Sequence, residues 1–81
     1  MYELKSIKLS NSYNIIIMTI ITNASTFSMY FHKQENGTFV SDHYIITNNT
    51  LHFLIENEFA TLYHSSKHRF QLTTKSLLLA L

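Results

Sequence analysis

The chain contains a single glycine, Gly37, which follows Asn36 and separates two stretches in which apolar side chains recur. An Asn-Gly pair in this position is the strongest short-range signal of a β-hairpin, because both residues tolerate the positive φ that a type I′ turn requires. Residues 26–47 are therefore predicted to form one antiparallel hairpin, and the remaining segments are interpreted around it.

The register of this hairpin depends on the length of its loop. A two-residue turn at Asn36 and Gly37 would place Phe31 opposite Asp42, which puts a carboxylate on the face that buries Phe31. Two alternatives remain open: Asp42 lies at the rim of the sheet, or the loop is longer than two residues and the side chains change faces. His32 and His43 are expected to lie near each other across the hairpin.

Two further strands are predicted before the hairpin. The first runs from Tyr2 to Leu9, and its apolar positions change parity near Lys5–Ser6, where a β-bulge would reconcile them. Ser10–Asn11–Ser12 has the composition of a turn. The second strand, 13–22, is apolar at both parities, which is typical of a strand that is covered on both faces or lies at an interface. With the hairpin, these strands form a four-stranded meander.

The region after the hairpin predicts one helix, from Thr50 to about His64. The apolar residues that recur there at helical spacing are Leu51, Leu54, Ile55, Phe59 and Leu62. Asparagine and threonine precede them, and both are good N-caps. The alternative is a second hairpin turning at Glu56–Asn57, a poor turn because it lacks glycine.

The end of the chain predicts a last strand over 68–74, followed by the apolar segment 76–81. That segment is expected to pair with the sheet, dock in a groove or contact another subunit, because apolar termini are not usually left in water. The fold class is therefore a single α+β domain over residues 1–81. It has an antiparallel sheet of four to five strands, a meander with the Asn36–Gly37 hairpin, and one helix packed on one face.

The sequence predicts no enzyme, no metal site and no cofactor. Cysteine is absent, and no HExxH motif occurs among the five histidines. His64 and His68 have the four-residue spacing of two ligands on a helix, but Ser65–Ser66 is expected to end the helix between them. The run Ser41–Asp42–His43 cannot converge as a catalytic trio, because adjacent strand residues point to opposite faces.

The composition favours self-association inside a cell. Charged residues make up 14 % of the chain against roughly 25 % in an average domain, so some apolar surface must stay outside. A chain this short, without a disulfide, is marginally stable alone, and the lack of cysteine indicates a cytoplasmic protein. The apolar run 15–21 is too short to cross a membrane. We expect a homodimer with contacts from Ile16, Met18, Ile20, Leu77, Leu79 and Leu81.

These features point to a small protein-binding module. The expected function is steric inhibition of a host protein, as phage or mobile-element inhibitors of host defence such as anti-CRISPR proteins perform. The candidates for partner contact are Tyr30, His32, His43, Lys67 and Arg69. The alternative is a single-stranded nucleic-acid-binding or small regulatory protein, which the net charge of only +1 does not favour.

Overall fold

The computed structural model describes residues 4–81 and shows an α+β fold, which confirms the predicted fold class. The strands are β1 Leu4–Ser12, β2 Ile15–Thr22, β3 Thr26–Lys33, β4 Phe39–Ser41, β5 Ala60–Leu62 and β6 Phe70–Leu72. The helices are α1 Asn48–Glu56 and α2 Thr74–Ala80, and a single 3₁₀ turn spans Tyr63–Ser65. Tyr2, the predicted start of the first strand, lies outside the described residues.

All six strands form one antiparallel sheet in the order β1-β2-β3-β4-β6-β5. The predicted four-stranded meander is confirmed as β1 to β4. The predicted bulge is confirmed too, because the β1–β2 register shifts between Leu4 and Ser6. After β4 the chain forms α1, reaches the far edge of the sheet as β5 and returns beside β4 as β6.

The predicted turn at Ser10–Asn11–Ser12 is wrong, because these residues continue β1. Ser12 pairs with Ile15, so the turn is the two-residue pair Tyr13–Asn14. Tyr13 has φ 56, a left-handed conformation that a bulky aromatic residue rarely adopts. Pairing with the isoleucines of β2 extends β1 through the polar stretch that suggested a turn, as far as Ser12.

The loop of the β3–β4 hairpin is longer than two residues, which is the second of the two alternatives that the sequence left open. Phe31 pairs with Ser41, and the loop is closed by a hydrogen bond from Gln34 N to Thr38 O of 2.7 Å. Gly37 adopts φ 87 within it. The register therefore shifts by one residue, and Asp42 leaves the core face with a side chain that is 65 % exposed.

Helix α1 begins at Asn48, two residues before the predicted start at Thr50, and a threonine caps it: the Thr47 hydroxyl accepts a hydrogen bond from Thr50 N. The predicted extension to about His64 is wrong beyond Glu56. Phe59 N donates to Leu54 O at 2.8 Å and Glu58 N donates to Ile55 O at 3.1 Å. These two bonds form a Schellman motif, and Glu58 takes the left-handed position, φ 60, that glycine usually fills.

The apolar end of the chain forms α2, which lies on the same side of the sheet as the core. Its buried residues, Ser76 and Ala80, are small and allow a close approach. The helix contacts both β1 and β6, which are not neighbours in the sheet, so the sheet curls around it. The buried hydrophobic core inside the curl is Ile16, Met18, Ile20, Met29, Phe31, Leu54, Ala60, Phe70, Leu72 and Ala80.

Candidate partner-binding surfaces

An apolar groove of about 420 Å³ lies between the β1–β2 turn, the β3–β4 loop and α2. The residues that line it are Asn11, Tyr13, Ile16, Lys33, Gly37, Phe39, Thr74, Leu77, Leu78 and Leu81. Three segments that are distant in sequence therefore build one concave surface. Lys33 is the single charged side chain in this lining, so the groove suits an apolar occupant.

Three of the apolar side chains that line this groove are largely exposed to solvent. Tyr13 is 98 % exposed, Leu78 is 66 % exposed and Leu81 is 89 % exposed. Leu79, which does not line the groove, adds a further exposed leucine on α2. The leucines of α2 are exposed because the small residues Ser76 and Ala80 face the core, which turns the larger side chains outward.

Tyr13 combines backbone strain with an exposed aromatic ring. A left-handed conformation costs roughly 1–2 kcal/mol for a residue with a Cβ atom. The ring gains little in return within the chain, since almost all of its surface remains in water. Strained residues with exposed side chains are a reason to suspect a contact outside the chain.

The residues predicted for self-association occupy two different environments. Ile16, Met18 and Ile20 are at most 2 % exposed, because they fill the core of one chain. Leu77 is half-buried beside the groove, whereas Leu79 and Leu81 are exposed. Contact with a second copy would therefore use the leucines of α2, since the core-facing side chains of β2 are already covered.

A second surface contains most of the residues predicted for partner contact. We call it the histidine–arginine cluster, and it consists of His32, Asp42, His43, Tyr63, His64, Lys67, His68 and Arg69. The His43 and His68 rings lie 4.6 Å apart between centroids, and the Arg69 guanidinium lies 5.3 Å from the centre of the Tyr63 ring. His32 Nε2 lies 3.2 Å from Asp42 Oδ2.

The junction between β4 and β6 positions this cluster. Ser41 is fully buried, and its Oγ accepts a hydrogen bond from Phe70 N at 2.9 Å. Its carbonyl oxygen accepts another from Arg69 Nε at 3.1 Å. Tyr44 N donates to His68 O at 2.8 Å, and the Tyr44 hydroxyl accepts from the backbone N–H of Tyr30.

The structure thus brings four of the five predicted contact residues to the segment 41–44, and the fifth, Lys67, is exposed in the loop between the 3₁₀ turn and β6. It differs from the sequence prediction in one contact. The register shift places Asp42 beside His32, whereas His43 contacts His68.

The histidines do not gather into a metal centre. Within residues 4–81, no group of three or more histidine, aspartate or glutamate side chains is arranged to hold a metal ion. The ring of His64 contacts Tyr63 at 4.0 Å between centroids, so His64 and His68 have different neighbours. His64 lies within the 3₁₀ turn and His68 lies in the loop after it, so the two residues are not one turn apart on a helix.

Comparisons with protein-family models, curated proteins and solved structures find no match to this chain. Across the described residues, neither helix has the length and apolar character needed to span a membrane. The sequence did not predict the groove, because its lining combines a turn, a loop and a helix whose meeting requires the curled sheet. The apolar run at 76–81 was the one sequence signal for it.

Proposed function

We propose that this chain is a small non-enzymatic protein-binding module that uses the apolar groove as its contact surface. The supporting observation is the concentration of exposed Tyr13, Leu78 and Leu81 around one concave apolar site. Exposed apolar residues that are scattered singly are normal, whereas a contiguous patch is typical of an interface.

The exposed leucines are large enough to carry useful binding energy. A leucine that is fully buried contributes roughly 1.5–3 kcal/mol. Scaled by the exposed fractions of Leu78 and Leu81, covering both would stabilise a complex by roughly 2–5 kcal/mol. The Tyr13 ring adds a rigid aromatic anchor of the type that is enriched at interface centres.

The biological setting that we propose is steric inhibition of a host protein, such as a defence protein, in the manner of an anti-CRISPR protein. The sequence has nine isoleucines and seven asparagines but one glycine and one arginine. This usage is expected of A+T-rich coding and favours a phage or mobile-element origin. The absence of cysteine favours action in the cytoplasm of the host cell.

A second copy of the chain is a further proposed partner. Leu79 on α2 and Leu81 directly after it are exposed, and a two-fold axis beside this helix would cover both leucines of each copy at once. A domain of this length buries only about 60–65 % of the surface of its unfolded chain, so its stability alone is marginal. Association with a second copy would add buried area.

Capture from an extract of the native host, followed by quantitative mass spectrometry, tests the protein-binding proposal. The wild type is compared with Leu78→Asp, which puts a charge at the groove, and with Ile45→Asp, which puts one at an exposed site outside it. We expect a small set of proteins to be retained by the wild type and by Ile45→Asp and lost from Leu78→Asp. Equal retention by all three would contradict the assignment of the groove.

A further inference from the structure

Strand β1 presents a long open edge at one end of the sheet. In the described part of the chain, β1 pairs with β2 on one side and has no strand on the other. The opposite edge strand, β5, has three residues, whereas β1 has nine. Short edge strands are a common protection against pairing with other chains, and β1 lacks this protection.

The backbone of β1 is regular over residues 6–12, because each of them has a partner in β2 without a register shift. In such a stretch the N–H and C=O groups of alternate residues point away from the paired strand, towards the open edge. Helix α2 contacts β1, but among residues 4–81 no backbone hydrogen bond from outside the β1–β2 pairing reaches this stretch. At roughly 3.3 Å per residue, it is long enough to pair with a strand of ordinary length.

The side chains of β1 determine what an added strand would meet on each face of the sheet. Ile7 and Leu9 are partly buried and pack against the core, so they lie on the inner face of the curl. Lys8 lies between them in the strand, is exposed and pairs with Thr19, so it lies on the outer face. An added strand would therefore have one row of side chains beside two apolar residues and the other row beside a lysine.

The charge of β1 favours a foreign strand over a second copy of the chain at this edge. Residues 4–12 include Lys5 and Lys8 and no acidic residue. Lys8 is the central residue of β1, so two copies of the strand paired about a central two-fold axis would place the two Lys8 side chains opposite each other. Like charges directly opposite across a strand pair are destabilising, whereas opposite charges are favourable. The lysines therefore oppose self-pairing and favour a partner strand with acidic side chains on the outer face.

We infer that residues 6–12 of β1 are a binding site for an extended acidic segment of a partner protein. The segment adds to the sheet as a further strand, and its backbone groups pair with those of the open edge. Its acidic side chains lie beside Lys8, and its apolar side chains lie beside Ile7 and Leu9. This site goes beyond the proposed function, because residues 6–10 do not line the apolar groove.

Titration of the isotope-labelled protein with a synthetic peptide, followed by NMR, tests the inference. The probe is a peptide of about eight residues with blocked ends, in which glutamate and valine alternate so that a strand carries each type on one face. We expect the peptide to shift the amide signals of β1 and to slow hydrogen exchange at least about tenfold at alternate residues of 6–12. The same peptide with lysine in place of glutamate should bind less tightly. Absence of signal changes in β1 at millimolar peptide would overturn the inference.

Two N-methylated forms of the peptide separate backbone pairing from attraction between charges. One form is methylated at every valine and the other at every glutamate, so each lacks the N–H groups along one edge of the strand. We expect one form to lose binding, because its methyl groups face β1, and the other to retain it. Equal affinities of the two forms would contradict strand addition, since the side chains and charges of both are the same.

Lys8→Gln and Thr61→Glu provide the matched pair of variants, because each lowers the net charge by one, on β1 and on the opposite edge strand β5. Lys8→Gln should weaken the glutamate peptide roughly two- to fivefold, the value of one cross-strand charge pair, whereas Thr61→Glu should leave its affinity unchanged. Equal losses would overturn the inference, since they would indicate unlocalised attraction. Slow exchange at alternate β1 amides of the concentrated protein without peptide would also overturn it, and would assign the edge to a second copy.

Discussion

Ser41 joins the two halves of the sheet, and replacing it by alanine should destabilise the protein strongly for so small a change. Strand β4 pairs with β6 through Val40 and Gln71. Beside it, Ser41 Oγ accepts a hydrogen bond from Phe70 N and donates one to Asp42 O at 2.7 Å. Ser41→Ala removes the acceptor and leaves the Phe70 N–H in a site where both residues are fully buried.

A buried donor that loses its acceptor costs about 1–3 kcal/mol. We expect about 2 kcal/mol for Ser41→Ala. A protein of this length has a free energy of unfolding of roughly 4–12 kcal/mol, so the variant should still fold. In urea, with a slope of about 1 kcal/mol/M, the midpoint should fall by about 2 M while the slope stays constant.

Ser76→Ala provides a matched control, because Ser76 is equally buried. Its Oγ donates to Phe59 O at 2.6 Å, but this carbonyl oxygen also accepts from Thr73 N at 3.3 Å. No polar group is orphaned, so the loss should be limited to the net value of one hydrogen bond, about 1 kcal/mol. Urea midpoints that fall equally in the two variants, or further in Ser76→Ala, would refute the reasoning about the orphaned N–H.

Two further predictions concern the hairpin loop and self-association. Gly37→Val should cost about 1–2 kcal/mol through backbone strain alone, because φ is 87 and a Cβ atom would meet nothing within 4 Å. Gly37→Asn should recover most of that loss in thermal unfolding, and a neutral Gly37→Val would show that the loop does not need positive φ. Sedimentation velocity at micromolar concentration should show a dimer that Leu79→Asp converts to a monomer. A wild-type monomer would assign the exposed leucines to a foreign partner.

Local signals in the sequence predicted the first half of the fold well. Asn36 and Gly37 located the hairpin, and the parity change near Lys5–Ser6 located the bulge in β1. Both depend on residues close together in the chain. The loop length was left open because nothing in the sequence distinguishes a two-residue turn from a loop closed by Gln34 and Thr38.

The second half was harder to predict because its breaks lack the usual residues. Helix α1 ends in a Schellman motif with Glu58 where glycine is typical, so the apolar spacing appeared to continue. The one misplaced turn in the first half has the same cause, because Tyr13 adopts a turn conformation that its side chain disfavours. Where tertiary pairing imposes positive φ on a bulky residue, the turn propensity of that residue does not predict the break.

The candidate surfaces also divide into features that the sequence predicted and features that depend on tertiary contacts. The residues Tyr30, His32, His43, Lys67 and Arg69 were chosen from residue type, and the structure connects four of them through the segment 41–44. Their contacts depend on β6 lying beside β4, a pairing across 28 residues of chain between Ser41 and Arg69. Three segments that are distant in sequence line the groove. The sequence drew attention to the apolar segment 76–81, but it gave no sign that the other two segments lie beside it.

Titration calorimetry with the captured partner tests the central claim most directly, because it measures how much the groove contributes to affinity. Leu78→Asp should weaken binding at least about tenfold, which corresponds to about 1.4 kcal/mol. Ile45→Asp should leave the affinity close to the wild-type value, and raising the salt should change it little, as expected of an apolar contact. Equal losses in the two variants, or a steep dependence on salt, would contradict binding through the apolar groove.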